Sequence, residues 1–156
     1  MYNHASENYQ CPLCLIIKGQ DNPENFAKVA DIFYKDEDLT AFIGGKWWPK
    51  NDGNVIIIPN KHYENIYDLP QDIGHKVFDL SKKIAIALKE VYKCDGVSTR
   101  QHNEPAGNQD VFHYHFHIIP RYTDDDFYIN FKNVRWTTVE ERAPFAAKLR
   151  KYFNYE

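Results

Sequence analysis

A regular alternation of histidines with apolar residues is the feature that most restricts the fold of this chain. Positions 113 to 122 read HYHFHIIPRY. A period of two predicts a β-strand with all three imidazoles on one face. Along that face the Cα atoms of His113, His115 and His117 would follow one another at steps of about 6.5 Å. The side chains predicted to enter the core from the other face are those of Tyr114, Phe116 and Ile118. Such a row of imidazoles fits around one phosphate, with one ring attacking phosphorus and its neighbours donating hydrogen bonds.

Three alternatives to catalysis explain the histidine run less well than catalysis does: an affinity tag, a zinc site and a purely structural role. An affinity tag would be contiguous histidine at a chain end, which this run is not. Imidazole is a common zinc ligand, but three ligands on one strand would leave no reason for a partner elsewhere. A single structural histidine is common in proteins, whereas three in register on one face are not. The pattern therefore favours catalysis at a phosphate.

Residues 96–122 resemble the signature of the histidine triad (HIT) superfamily of nucleotide hydrolases and transferases. In that family, His-x-His-x-His with apolar residues at x follows a glutamine by four positions, as His113 follows Gln109 here. The segment NEPAGN at 103–108 resembles the polar, glycine-containing phosphate loop of the family. Weaker similarity extends from about Cys11 to Tyr122. The resemblance implies an α+β, HIT-like fold with an antiparallel sheet of about five strands, one long helix and a C-terminal helix.

The whole chain is expected to form one HIT-like domain, residues 1–156, because 156 residues suit a single hydrophobic core. The core would span about residues 11–122, and residues 123–156 would be a C-terminal extension. By the resemblance, the protein would be a homodimer in which central strands and helices of two subunits form one continuous sheet.

Short apolar runs between turn-forming residues predict the other strands. The strands predicted in this way are 32–35, 39–43 and 55–59, and residues 96–101 are predicted as a further strand that leads into the phosphate loop. Residues 21–25 read as a polar turn, followed by a short amphipathic piece through Ala30. Residues 44–53 are rich in glycine and are predicted to form a loop. The paired tryptophans in that loop could stack on a base, join a subunit contact or cap the edge of the core.

Two helices are predicted from local patterns. Apolar residues recur at steps of three and four from Ile73 to Val91, which predicts a long amphipathic helix starting after Asp68–Pro70. This helix is expected to end near 94–96, with Gly96 as a left-handed cap. A capping-box pattern at Thr138–Glu141 predicts a C-terminal helix that extends to about residue 152.

The resemblance assigns the nucleophile to His115, since neutral imidazole attacks phosphorus well and forms a covalent intermediate. His113 and His117 would orient this ring, bind phosphate oxygens and handle the proton of the leaving group. The amide of Gln109 would bond a phosphate or bridging oxygen. The remaining residues implied for nucleotide binding are Leu13, Ile16, Phe42 and Ile56 around the base, and His102, Asn103, Gly107 and Asn108 around the phosphates.

A Cys-x-x-Cys pair at Cys11 and Cys14 suggests half of a zinc site, or two small buried thiols. In some HIT proteins this pair is completed by the first triad histidine, here His113, and by a histidine directly after a glycine. Asn54 stands at that second position, and an amide oxygen is a poor zinc ligand. No cofactor is required by the implied reaction, and the sequence allows zinc but favours partial occupancy or absence. His62, in a segment similar to the family's Pro-Lys-x-His, is interpreted as structural.

Substrates implied by the resemblance are dinucleoside polyphosphates or nucleoside phosphoramidates, attacked at the α-phosphate. A sugar-1-phosphate nucleotidyltransferase is one rival, but those relatives carry glutamine where this chain has His117. The alternative from another class is a nucleotide-binding or adaptor module with weak or no turnover. Asn54 favours it, as does Gly44, which stands where the family often has a ribose-binding Asp or Asn.

Composition excludes several other classes of protein. The formal charge is −3 with no basic block, so no nucleic-acid partner is expected. No apolar run approaches the ~18 residues of a membrane span, and the N-terminal residues lack a signal-peptide pattern. Three cysteines, an odd number, do not suggest a disulfide framework. A soluble protein of the reducing cytoplasm is therefore expected.

Overall fold

The computed structural model describes residues 2–22 and 27–155. The strands are β1 (Ile32–Lys35), β2 (Leu39–Ile43), β3 (Lys46–Trp47), β4 (Val55–Pro59), β5 (Gly96–Gln101), β6 (Phe116–Arg121) and β7 (Arg135–Trp136). The helices are α1 (Pro12–Ile17), α2 (Gln71–Val91) and α3 (Val139–Phe153), and short 3-10 turns lie at Val29–Asp31 and Pro105–Gly107. Residues 23–26, part of the predicted polar turn, lie outside the described residues.

Five strands form one antiparallel sheet in the order β1-β2-β4-β6-β5, and β3 pairs with β7 in a separate two-stranded sheet. This arrangement confirms the predicted α+β fold with its five-stranded antiparallel sheet. The four strands predicted at 32–35, 39–43, 55–59 and 96–101 form at those residues.

The two faces of the large sheet carry different partners, because side chains alternate along each strand. On one face, apolar residues of the strands pack under α2 and α3, and this main core includes Tyr114 and Ile118 with Phe116 at its border. The prediction that these three enter the core is confirmed. On the opposite face, a smaller cluster unites Phe42 and Ile58 with residues of α1. The second face is only partly covered, which leaves room for a pocket.

Helix α2 follows its apolar period, and the buried positions repeat every three or four residues. It ends three residues earlier than the region predicted for its cap. Lys93 takes the left-handed conformation with φ 58°, whereas Gly96 begins β5. The prediction that Gly96 caps this helix is therefore wrong. Within the described residues, none of the helices combines the length and the apolar character that a membrane span needs.

The C-terminal extension folds back over the domain. Its helix α3 begins with the predicted capping box, in which the Thr138 hydroxyl accepts from the backbone N–H of Glu141 at 3.3 Å. The predicted 44–53 loop contains β3, and Lys46 and Trp47 pair with Trp136 and Arg135 of β7. The extension is thus tied to the loop that precedes β4.

Two further contacts fix α3 to the core. The Arg142 guanidinium lies 2.9 Å from the Asp31 carboxylate, and both side chains are about 1% exposed. Gly53 has a φ of +80°, and a Cβ built there would lie 2.5 Å from the ring of Phe145. Glycine is required at this position both for the backbone conformation and for the space.

Candidate active site

A cavity of about 290 Å³ opens on the partly covered face of the sheet. Its lining includes seven residues predicted from the sequence, namely His115, His117, Leu13, Phe42, Ile56, His102 and Asn108. Five other predicted residues are not part of this lining, namely His113, Gln109, Ile16, Asn103 and Gly107. The structure therefore brings together two of the three triad histidines and most of the predicted nucleotide-binding residues.

The histidine run is not one continuous strand. Strand β6 begins at Phe116, so that only His117 of the three belongs to it, and the prediction of a strand through His113 and His115 is wrong. The backbone N–H of His113 bonds to the carbonyl of Val111 at 2.9 Å, which closes a tight turn just before the strand. Because of this turn, the His113 ring does not stand in a row with the other two.

His115 is oriented by a single backbone contact. Its Nδ1 lies 2.7 Å from the carbonyl oxygen of His113, and a carbonyl can only accept, so Nδ1 carries the proton. In the neutral ring the lone pair therefore resides on Nε2. Burial lowers the pKa of the His115 imidazole, although the backbone contact to His113 and the charge of Asp110 oppose this shift. The ring is 5% exposed and lines the cavity, so a nucleophilic nitrogen is available there without protonation.

His117 lies beside it, with ring centroids 5.1 Å apart. Burial, followed by the neighbouring His115 and Arg100, holds the pKa of His117 well below its usual value. Among the described residues no group bonds to its buried Nδ1. A neutral imidazole with a free nitrogen is suited to bind a ligand in the cavity.

Gln109 is 4% exposed, and its amide is used to hold the loop that precedes the histidines. Its Nε2 donates to the carbonyls of Glu64 and Val111, at 2.6 and 3.0 Å, and its Oε1 accepts from the Glu104 N–H at 2.8 Å. In this structure both polar atoms of the Gln109 amide are therefore engaged with backbone groups. His102 is similarly braced through Nδ1 to the Asn108 carbonyl at 3.0 Å, but it also lines the cavity.

His113 faces the cysteine pair instead of the cavity. Its Nε2 donates to the carbonyl of Pro59 at 3.0 Å, and its Nδ1 lies 3.3 Å from the Cys11 sulfur and 3.5 Å from the Cys14 sulfur. A metal-binding histidine usually donates its other N–H to a carbonyl or carboxylate in this way. Nδ1 therefore carries the lone pair and points to the two thiols.

His62 completes this group. Its Nδ1 lies 3.3 Å from the Cys14 sulfur, and the four potential ligand atoms of Cys11, Cys14, His62 and His113 are all within 4.8 Å of one another. Bonds of ~2.3 Å to sulfur and ~2.0 Å to nitrogen put S and N roughly 3.5 Å apart around tetrahedral zinc. The contact with Cys11 is the largest factor that lowers the pKa of the Cys14 thiol, and the neighbouring His113 and His62 act in the same direction, which favours the thiolate that binds metal. These residues fit a zinc ion.

The resemblance aligns the fourth position of a zinc site with Asn54, whereas the structure brings His62 to the cysteine pair instead. Asn54 lines the cavity, and its Nδ2 lies 3.5 Å from the Lys46 carbonyl. A Cβ added to Gly44 would come within 2.8 Å of this nitrogen and 3.0 Å of Ile56, so the Asn54 amide fills the space of a larger residue at 44. The similarity of its segment to the family's Pro-Lys-x-His indicated a structural role for His62, but its approach to the cysteines depends on the position of α1.

Several cavity residues were missed by sequence reasoning. Arg100 of β5 has its guanidinium carbon 4.9 Å from the ring centre of Trp48 and 4.8 Å from that of Phe131. Lys46 donates a hydrogen bond to Asp110 at 2.8 Å on the rim. Burial alone would raise the pKa of Asp110, but the contact with Lys46 opposes it and the pKa is lowered. The other missed lining residues are Ala27, Gly45, Val111, Lys132, Val134 and Trp136. Many of these come from the C-terminal extension, for which no local motif signals a site.

The fold and the site together define an α+β domain with a histidine-lined pocket on the partly covered face of an antiparallel sheet. The profile described as the HIT domain matches residues 25–124 of the chain, and the protein belongs to the HIT family.

Several known proteins are similar to this chain. Protein hit of Bacillus subtilis is 38% identical over 123 residues, which cover 79% of this chain and 77% of that protein. The crystal structure of a Zn-bound histidine triad family protein from Mycobacterium smegmatis superposes with a TM-score of 0.72 at 26% identity, covering 94% of this chain and 98% of that one. The adenosine 5'-monophosphoramidase HNT1 of Saccharomyces cerevisiae is 32% identical over 73 residues, or 47% of this chain and 44% of the yeast protein.

Proposed function

We propose that this protein is a nucleotidyl hydrolase or transferase that acts on the α-phosphate of a nucleotide conjugate through a covalent intermediate on His115. The observation that carries the proposal is the tautomer of His115, whose Nδ1–H donates to the His113 carbonyl and leaves the Nε2 lone pair on the cavity side. Membership of the HIT family and the similarity to a yeast phosphoramidase support the same class of reaction.

The reaction has two balanced steps. In the first, Nε2 of His115 attacks the α-phosphorus, an N–P bond forms, and the bond from phosphorus to the leaving group breaks with its electron pair on the leaving group. In the second, water or another acceptor attacks the phosphorus and restores the free imidazole. His117 is positioned to bond a phosphate oxygen, and Gln109 keeps the loop before the histidines in place. Donors fixed before the reaction stabilise developing charge without reorganisation.

An apolar slot beside the histidines suits the base. Leu13, Phe42 and Ile56 line this part of the cavity, from α1, β2 and β4. Flat apolar walls favour a purine through its large aromatic face, and Ile16 supports the slot from the small cluster behind it. Asn54, whose buried Oδ1 has no hydrogen-bond partner among the described residues, is suited to accept from a ribose hydroxyl.

We further propose a structural zinc ion held by Cys11, Cys14, His62 and His113. When bound, zinc would supply a rigid cross-link, because four protein ligands leave no open coordination position. The four side chains join α1 to the segment after β4 and to the turn before β6. His113 then acts as a positioning residue whose carbonyl orients His115, rather than as a group that contacts phosphate. The zinc-bound relative from Mycobacterium smegmatis supports this proposal.

A homodimer is proposed from family membership and from two features of the fold. Strand β5 is an edge of the five-stranded sheet and can pair with the same strand of a second copy. On the neighbouring helix α2, the Phe78 side chain is 70% exposed. Sedimentation velocity of the purified protein distinguishes a dimer near 37 kDa, twice the 18.4 kDa chain, from a monomer.

The alternative of a nucleotide-binding or adaptor module is favoured by Gly44, which offers no side chain to the ribose. Both candidates predict nucleotide binding, but only the enzyme forms an adduct. The test is to quench the protein after brief exposure to a panel of adenosine 5'-phosphoramidate and diadenosine polyphosphates, and to search for nucleotidyl-His115 by peptide mass spectrometry. The control variant is His75→Ala, which removes an exposed imidazole of α2 outside the cavity.

We expect an adduct on His115 in the unmodified protein and in His75→Ala, and none in His115→Ala. Turnover should fall by about 10⁴- to 10⁶-fold in His115→Ala, as for other covalent nucleophiles. Binding without adduct or turnover on every substrate would reject the enzyme in favour of the binding module.

A further inference from the structure

Four side chains form a row across four adjacent strands on the pocket face of the sheet. The strand register places Phe42 of β2 opposite Ile56 of β4, Ile56 opposite His117 of β6, and His117 opposite Arg100 of β5. All four residues line the cavity. Strands lie about 4.8 Å apart, so the row extends roughly 14 Å. It is apolar at one end, carries an imidazole in the middle and ends in a guanidinium.

Arg100 is a half-buried cation, and two of its guanidinium nitrogens lack a polar partner among the described residues. Its Nε and Nη1 atoms are buried and have no hydrogen-bond partner in the described part of the chain. The lining contains one carboxylate, that of Asp110, and this group is bonded to Lys46. Buried N–H groups without partners are costly, and an anion from outside the chain would relieve that cost.

Packing accounts for the position of the guanidinium but not for its free nitrogens. The guanidinium carbon lies 4.9 Å from the ring centre of Trp48 and 4.8 Å from that of Phe131, in cation–π contact with both. Contacts of this kind leave N–H groups available for an anion, and Arg offers a planar fork that matches phosphate oxygens. Lys132 adds a third cation to the lining beside Arg100 and Lys46.

We propose that Arg100 binds an anionic leaving group, so that the preferred substrates are nucleotide anhydrides, in which a phosphate follows the α-phosphate, rather than phosphoramidates of uncharged amines. This inference rests on the function proposed above. With the base at the apolar end and the α-phosphate at His115 and His117, the next phosphate falls at the guanidinium, one strand further along the row.

The chemistry of the leaving group agrees with this assignment. When the N–P bond to His115 forms, the bond between the α-phosphorus and the bridging oxygen breaks, and the electron pair stays on that oxygen. The departing phosphate gains negative charge and needs no proton, so a fixed cation is the appropriate stabilising group. An amine leaving group requires a proton instead, and His117, with its lowered pKa, is a poor donor at neutral pH.

The test compares two substrates that share adenosine and the α-phosphate, namely diadenosine triphosphate and adenosine 5'-phosphoramidate. In Arg100→Gln we expect kcat/KM for the anhydride to fall by about 10- to 100-fold, as when a hydrogen bond to a charged group is removed. The value for the phosphoramidate should change by less than about threefold, since uncharged ammonia makes no such bond. Arg100→Lys should retain part of the activity on the anhydride. The control Lys82→Gln removes an exposed charge on α2 and should leave kcat/KM unchanged for both substrates. Equal decreases on both substrates, or no decrease on either, would overturn the inference while leaving the proposed reaction intact.

A binding measurement keeps the inference testable if neither substrate is cleaved. Calorimetry would compare AMP with the methylene-bridged analogue of ADP, which carries the second phosphate but cannot be hydrolysed at that position. Arg100→Gln should lower the affinity for the analogue by about tenfold or more and the affinity for AMP by less than about twofold, because only the analogue places a second phosphate at the guanidinium. That result without turnover would reject the proposed reaction and retain the anion site, whereas equal weakening of both ligands would reject the anion site.

Discussion

Replacing His62 by alanine tests the least expected part of the site. The imidazole supplies one of four potential zinc ligands, with its Nδ1 3.3 Å from the Cys14 sulfur. Hydrogen bonding to Cys14 raises the pKa of His62, although burial opposes the shift, so zinc binding would displace a proton from this ring. Without the ring, Cys11, Cys14 and His113 remain, and a water molecule would have to fill the fourth position.

The expected loss of zinc affinity in His62→Ala is obtained by dividing the free energy of zinc binding among the four ligands. Structural zinc sites bind with about 10–16 kcal/mol, so one ligand contributes roughly 2.5–4 kcal/mol. At 1.4 kcal/mol per tenfold change, zinc affinity in His62→Ala should fall by about 10²- to 10³-fold. Free zinc at one hundred times its dissociation constant stabilises the folded state by about 2.7 kcal/mol. For a chain of this length, that free energy corresponds to a melting temperature roughly 5–10 °C higher.

Competition with a chromophoric chelator measures the affinity, and thermal unfolding with and without zinc measures the linked stability. Asn54→His is the matched comparison, because it adds an imidazole in the cavity wall and should leave zinc affinity unchanged. Wild-type affinity in His62→Ala, or a large gain in Asn54→His, would refute the assignment of the fourth ligand.

Three other predictions concern turnover and the fold. Because burial lowers the pKa of His115, turnover should stay level as pH falls through about 6.5 and should decline only below it, which a pH–rate profile would check. A rate that halves at pH 6.5 or above would contradict this. Gly53→Ala should lower the free energy of unfolding, measured in urea, by about 2–4 kcal/mol, because the new Cβ is overpacked and the φ is positive. In the control Gly107→Ala the new Cβ meets no atom within 4 Å, so the free energy of unfolding should hardly change. Arg142→Met should cost about 3–5 kcal/mol by leaving the Asp31 charge buried, and adding Asp31→Asn should recover part of that stability. Additive effects in the double variant would show that the pair is not coupled.

The elements that were predicted correctly depend on local patterns. Helix α2 follows from an apolar period of three and four residues, and the start of α3 follows from its capping box. Three strands of the large sheet, β1, β2 and β4, are short apolar runs between turns. His117 was placed at the site by the alternation of the histidines, whereas Phe42 and Ile56 were placed there by the resemblance to the HIT family.

What sequence reasoning missed depends on contacts between distant segments. The pairing of Lys46–Trp47 with Arg135–Trp136 joins two-residue strands about 90 positions apart, and no local pattern marks so short a strand. The turn at His113 breaks an alternation that is perfect in the sequence, because its ring bonds the Pro59 carbonyl and faces the cysteines. His62 reaches those cysteines only once α1 has packed on the sheet. Arg100 lies in a strand that was predicted, but its unpartnered nitrogens become visible only with Trp48 and Phe131 in place.

The β3–β7 pairing has a consequence for how this architecture can acquire new specificities. The tail from residue 127 to 136 supplies Phe131, Lys132, Val134 and Trp136 to the cavity, yet it adds no strand to the large sheet. The HIT domain match ends at residue 124, before this tail begins. Substitutions in the tail can therefore reshape the far wall of the pocket while the histidines and the sheet stay unchanged. Exchange of this one short segment between relatives would change one wall of the pocket without altering β6 or the histidines.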